Sequence, residues 1–116
     1  MQTEDRIIAI EQKYAHLIED ILILNLTDET LKIILKLHGG TTLRIAERWQ
    51  SKVLIRYSYY WLDSENKLKI GWDNAPHHKD LNNFPHHKHL GKKEKITKSD
   101  EICLEDVMLA VLKSIT

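Results

Sequence analysis

Residues 31–49, LKIILKLHGGTTLRIAERW, decide the fold. Leu31, Ile33, Leu35 and Leu37 alternate with Lys32, Ile34, Lys36 and His38, the period of a strand with one buried face. Gly39-Gly40 then signals a two-residue hairpin, because tight strand reversals need positive φ, which glycine adopts without steric cost. On the return, Leu43, Ile45, Glu47 and Trp49 alternate with Thr42, Arg44, Ala46 and Arg48. Glu47 thus falls on the apolar side. A carboxylate there needs a partner, an Arg or a His, unless the strand ends in time for it to reach water.

The same pattern continues outward. Lys52 to Leu62 reads as a longer strand with Val53, Ile55, Tyr57, Tyr59 and Trp61 on one face. Asp63-Ser64-Glu65-Asn66 is a turn. Leu68, Ile70 and Trp72 then alternate with Lys67, Lys69, Gly71 and Asp73. Short connections between such strands predict an antiparallel meander. Upstream, Ile7, Ile10, Tyr14, Leu17 and Ile18 form a helical stripe over residues 4–18, and Ile21 to Leu24 leans to strand by its β-branched residues. Downstream, Leu104, Val107, Met108, Val111, Leu112 and Ile115 form a second helical stripe, with Ser99 or Thr97 available as its cap. The expected fold is α+β over residues 1–116 as one domain. It has an N-terminal helix, a four- to five-stranded antiparallel meander, a His-rich loop, and a C-terminal helix packed on one sheet face. The other face would carry Lys32, Lys36, Arg44, Arg48, Arg56, Lys67 and Lys69, provided the register holds.

Composition narrows the class. A chain of 116 residues with 42% hydrophobic and 29% charged residues is long enough for one core and too apolar for disorder. A single cysteine, Cys103, excludes a disulfide framework and reads as a packed small hydrophobe. The longest apolar run, Ile21 to Leu24, spans no membrane, and Glu4 and Asp5 sit where a signal peptide needs basic residues. The expectation is a cytoplasmic protein. Net charge is zero but segregated: −5 over residues 1–30, +8 over 31–98 and −3 over 99–116. A basic middle between acidic ends is either an ordinary pair of solvated faces or the footprint of phosphate binding.

Histidine carries the chemistry. Five of the seven histidines fall between His77 and His89, and Pro-His-His-Lys at 76–79 recurs at 85–88. The two prolines restrain the backbone of this loop. Imidazoles titrate near neutral pH, so two of them beside cations suffice to cleave RNA without metal. His77, His78, His86, His87 and His89 form the acid–base pool. Lys79, Lys88, Arg44 and Arg56 are candidate phosphate clamps, and Asp73 or Glu47 could orient an imidazole. Tyr60, opposite in face to Tyr57, Tyr59 and Trp61, could stack on a base. The alternative is a non-catalytic module in which His77, His86, His87 and His89 hold zinc or another divalent transition metal, or contact a partner protein. A packed loop without chemistry is the third reading.

Tyr57-Ser58-Tyr59-Tyr60-Trp61, Trp72-Asp73-Asn74-Ala75-Pro76-His77-His78 and Phe84-Pro85-His86-His87-Lys88-His89 resemble the TumE family over about residues 31–98. The resemblance implies a small prokaryotic toxin of a toxin–antitoxin pair. It would be cytoplasmic, neutralised by a cognate helix-turn-helix antitoxin, and directed at RNA or translation. The family pattern has an aromatic directly after the strand glutamate, whereas Arg48 and then Trp49 follow Glu47 here. Element order is also similar to RelE-like metal-independent ribonucleases, an analogy of layout alone. The expected function is a toxin acting as a metal-independent endoribonuclease, or another inhibitor of translation, with RNA as substrate. A homodimer stays open.

Overall fold

A computed structural model describes residues 3–76, 84–92 and 95–115. Helix α1 (Thr3–Lys13) precedes strands β1 (Ile18–Leu26), β2 (Thr30–Leu37), β3 (Thr42–Gln50), β4 (Val53–Leu62), β5 (Leu68–Asp73), β6 (His87–Leu90) and β7 (Ile96–Lys98), and helix α2 (Leu104–Ile115) follows. The seven strands pair in chain order, each antiparallel to the next. The α+β class and the meander are as the alternation predicts. β1 realises the Ile21 to Leu24 run as an edge strand, and the sheet is wider than four or five strands because β6 and β7 form where the sequence suggests loop and connector.

The turns follow their residues. Gly39 and Gly40 take φ of 101° and 95° between β2 and β3. Asn66 takes φ of 63° in the β4–β5 turn, where the Asp63 carboxylate accepts from the Glu65 and Lys67 amides. The helical stripe stops earlier than its apolar positions suggest. α1 ends at Lys13, and Leu17 and Ile18 fold back to the Tyr14 carbonyl before β1 begins. α2 starts at Leu104, with the Cys103 carbonyl accepting from Val107. Ser99 and Thr97 are therefore not its cap: Thr97 lies in β7, and the Ser99 hydroxyl donates to the Glu101 carbonyl.

Both helices cover the same sheet face. Ile7 and Ile10 of α1 and Leu104, Val107, Met108 and Val111 of α2 share one cluster with Leu31, Ile33, Leu35, Leu43, Ile45, Tyr57, Tyr59, Trp61 and Trp72. Each large side chain buried there contributes roughly 1.5–3 kcal/mol by leaving water. Val53 and Ile55 do not join, at 63% and 39% exposed. A register shift after Arg48 passes the inward position to Leu54.

Glu47 finds an arginine. The Arg6 guanidinium donates to both carboxylate oxygens at 3.1 and 3.0 Å, Trp49 Nε1 donates at 3.0 Å and the Tyr59 hydroxyl at 2.6 Å. Arg6 also donates to Glu105 of α2 at 3.0 Å. Burial lowers the Arg6 pKa, and the two carboxylates outweigh it, so the net shift is upward. Glu47 is thus a structural anchor joining α1, β3, β4 and, through Arg6, α2, and among the described residues it orients no imidazole.

Candidate active site

Register assigns the uncovered face. Arg44 lies beside Tyr60, Tyr60 beside Gly71, and Gly71 beside His89 across β3 to β6. One step along, Ala46, Ser58, Asp73 and His87 form a parallel row. Lys32 pairs with Ala46 and Arg48 with Arg56, so Lys32, Lys36, Arg44, Arg48 and Arg56 share this face. Among the described residues none of these five enters an ion pair, which leaves the face strongly cationic. Lys67 and Lys69 depart from the expected stripe. Lys67 sits in the β4–β5 turn, 3.4 Å from Glu65, and Lys69 lies at a register irregularity with its Nζ 4.5 Å over Trp61.

Strand β6 sorts the histidine tract by parity. His87 and His89 point to the open face and are buried among their neighbours. His86 and Lys88 belong to the helix-covered side. The His86 ring stacks on Tyr57 at 5.8 Å and its Nδ1 lies 2.8 Å from the Tyr57 hydroxyl. Burial, and then the adjacent His87, hold His86 below the usual histidine pKa. Lys88 donates to Glu101 at 3.2 Å, and the same oxygen accepts from Trp72 Nε1 at 2.9 Å. Of the predicted pool, Asp73, His87, His89, Tyr60, Arg44 and Arg56 share one face, while His86 and Lys88 lie on the other. His77, His78 and Lys79 lie outside the described residues.

Asp73 is the hub. His87 Nε2 lies 2.8 Å from its Oδ1, and His89 Nε2 lies 3.1 Å from its Oδ2. The Ala75 amide donates to Oδ1 at 3.0 Å. Asn74 fixes the strand end, accepting from the Tyr57 amide and donating to the Ile55 carbonyl, both at 2.9 Å. The two imidazoles meet edge-on, 5.1 Å between centroids.

Proton counting at His87 is informative. Its Nδ1 lies 3.0 Å from the Pro85 carbonyl, which only accepts, so Nδ1 carries a hydrogen. Its Nε2 faces a carboxylate oxygen, also only an acceptor when ionised. A neutral ring would turn a lone pair on that oxygen. A hydrogen bond between these two atoms needs one proton, carried by the imidazole or by the carboxyl.

A concavity of about 400 Å³ opens on this cluster, lined by Arg56, Ser58, Tyr60, Asp73, His87 and His89 among others. Two further hollows, about 300 and 210 Å³, share Lys32, Ala46 and Ser58 with each other and border the first through Arg56, Ser58 and Tyr60. Together they make a cationic trough ending at the histidines. Tyr60 faces His89 edge-on at 6.4 Å. Burial, and then Asp73, raise its phenol pKa.

Gly71 and Ser58 are contributions that motif reading missed. A Cβ on Gly71 would stand 2.8 Å from Tyr60 Cδ1 and 2.9 Å from Cε1, so only glycine lets the ring lie across β5. The available signal was a glycine inside an alternating strand, which marks close approach by another group. Gly71→Ala is expected to move the Tyr60 ring off β5. The chemical shifts of the His89 ring should change with Tyr60 absent from its edge, while the thermal midpoint shifts by only a few degrees. An unchanged His89 spectrum would remove Gly71's positioning role. Cys103 is half-buried and its thiol pKa is raised by burial, consistent with a packing residue rather than a nucleophile.

A family model described as Toxin TumE matches residues 6–116, extending past the motif region into both terminal helices. No curated protein and no solved structure matches the chain. No helix among the described residues is long and apolar enough to cross a membrane.

Proposed function

The chain belongs to the TumE family of toxins of toxin–antitoxin systems, and from that premise we propose that it arrests growth by cleaving RNA at the Asp73–His87–His89 cluster. Its partner is then an antitoxin, which we take to be a helix-turn-helix protein. The observation that carries the reading is the coincidence of two imidazoles on one carboxylate with the end of an unpaired cationic trough. A phosphodiester backbone suits the trough, with Arg56 and Arg44 holding phosphates and Tyr60 stacking on a base.

The chemistry is transesterification. His89, whose Nε2–H is held by Asp73, takes the ribose 2′-hydroxyl proton on its other ring nitrogen. The 2′-oxygen attacks phosphorus and the bond from phosphorus to the 5′-oxygen breaks. His87 donates an Nε2 proton to the departing 5′-oxygen. The products are a 2′,3′-cyclic phosphate and a 5′-hydroxyl. Asp73 holds both rings at their Nε2 atoms. Arg56 stabilises charge on the phosphate.

The test is incubation of untagged protein with end-labelled RNA in the presence of chelator. Cleavage leaving a cyclic phosphate is expected, and a 2′-deoxy nucleotide at the cut position should block it. Intact RNA under conditions where the same protein arrests growth would discard the proposal. Binding supplies a second check. Arg44→Ala with Arg56→Ala should flatten the salt dependence of RNA binding by about 1.4 in log–log slope, for two phosphate contacts on a single strand. An unchanged slope would remove these arginines from the interface.

A further inference from the structure

We infer that Asp73, His87 and His89 also form a binding site for one divalent transition-metal ion of the zinc class. The inference stands on geometry and does not depend on the RNA reading.

One ligand atom from each of the three residues lies within 4.8 Å of the others. Both imidazoles present the same nitrogen, Nε2, to the same carboxylate. Imidazole nitrogen and carboxylate oxygen are both lone-pair donors, the set that a transition-metal ion takes.

The surroundings are those of a histidine–metal site. His87 donates its Nδ1 hydrogen to the Pro85 carbonyl at 3.0 Å, which fixes the tautomer that exposes Nε2 as a ligand. Asp73 is steadied by the Ala75 amide at 3.0 Å. The two histidines sit on a strand paired on both sides, so their spacing is set by backbone hydrogen bonds. Metal–nitrogen bonds of about 2.0–2.1 Å at tetrahedral angles place neighbouring ligand atoms roughly 3.3 Å apart. The observed contacts of 2.8 and 3.1 Å, one to each carboxylate oxygen, and the outer span of 4.8 Å among the three ligand atoms bracket that spacing.

Imidazole and carboxylate together suit zinc, cobalt or nickel better than magnesium or calcium, which favour all-oxygen shells. Three protein ligands leave a fourth position facing the 400 Å³ concavity, where water or another oxygen ligand would complete a tetrahedron. An ion held at Nε2 and proton transfer at Nε2 exclude each other.

The test uses untagged full-length protein titrated with Zn²⁺ by calorimetry, and with Co²⁺ by visible absorption. One ion per chain is expected at pH 7.5, with the intense visible bands of tetrahedral cobalt and weaker binding at pH 5.5 as the rings take up protons. His89→Gln, which can still donate to Asp73 but supplies no imidazole, should weaken binding at least about tenfold. His87→Gln should do the same. His86→Gln, whose ring lies on the opposite face, should leave affinity unchanged. Absence of binding to the wild-type chain would overturn the inference, as would unchanged affinity in folded His89→Gln or His87→Gln. Because binding is read without RNA, its failure leaves the cleavage proposal standing, and an inactive protein that binds the ion does the converse.

Discussion

His89→Gln is expected to abolish growth arrest in a protein that remains folded. The Asp73 carboxylate is buried and receives His89 Nε2 at 3.1 Å. Removing that donor outright would strand a buried acceptor, at about 1–3 kcal/mol, and would confuse loss of fold with loss of chemistry. A glutamine amide can still donate to Asp73 but cannot exchange a proton. General acid–base groups contribute about 10²–10⁴ each, so RNA cleavage should fall by at least about a hundredfold. His87→Gln should behave alike. The double variant should fall little further, because residues acting as a unit are not additive. His86→Gln and Lys88→Met, on the covered face, should retain arrest if they fold. Growth curves on induction, read beside circular dichroism of each purified variant, decide the matter. Full arrest by a folded His89→Gln would remove His89 from the mechanism.

The sheet was legible where strands alternate strictly. Leu31 to Leu37 and Leu43 to Glu47 bury every second residue as their pattern predicts. It was not legible at β6 and β7, which contain four and three residues and are rich in histidine and lysine. Their formation depends on hydrogen-bonding partners already held by β5, a tertiary effect that no local propensity records. The cost of reading residues 77–89 as a loop was a single acid–base pool. Strand β6 begins at His87, and parity separates His86 and Lys88 from His87 and His89. Asp73 was legible as an imidazole partner by chemical type. That it serves two rings required the pairing of Asp73 with His87. The Tyr60–Gly71 contact likewise needed cross-strand register.

The two buried carboxylates are paired with different kinds of side chain on the two sides of the sheet. Glu47, under the helices, faces an arginine, whose charge does not titrate in the accessible range. Asp73, on the open face, faces histidines, whose charge does. Both satisfy the requirement that a buried charge be paired. The proposed proton transfer and metal binding both need the second kind of pairing, because a guanidinium offers neither a transferable proton nor a free lone pair.

The Arg6–Glu47 pair, buried on the covered side, is expected to contribute strongly to stability. The Glu47 side chain is fully buried and the Arg6 side chain is 10% exposed. Deleting one partner leaves the other charge buried without compensation, at about 3–5 kcal/mol. Native domains hold only about 5–15 kcal/mol in total. Glu47→Ala is therefore expected to lower the thermal midpoint by on the order of 15 °C or to prevent folding. Tyr59→Phe removes one charge-assisted hydrogen bond to Glu47 and should cost about 1.5–3 kcal/mol. The double exchange Arg6→Met with Glu47→Leu should recover much of the loss, because an apolar pair of similar volume can replace a buried ion pair. The Glu105 pKa is lowered: burial raises it, and the hydrogen bond and charge of Arg6, with hydrogen bonds from its own amide and from Cys103, together more than offset this. Its contribution is complete above the unfolded glutamate value of about 4.3 and is lost as pH falls through the lower folded value. Urea unfolding of wild type and Glu105→Gln should therefore differ at pH 7 and converge in strong acid. If Glu47→Ala unfolds at the wild-type urea concentration, the network contributes nothing to stability, and the helices are held by their apolar faces alone.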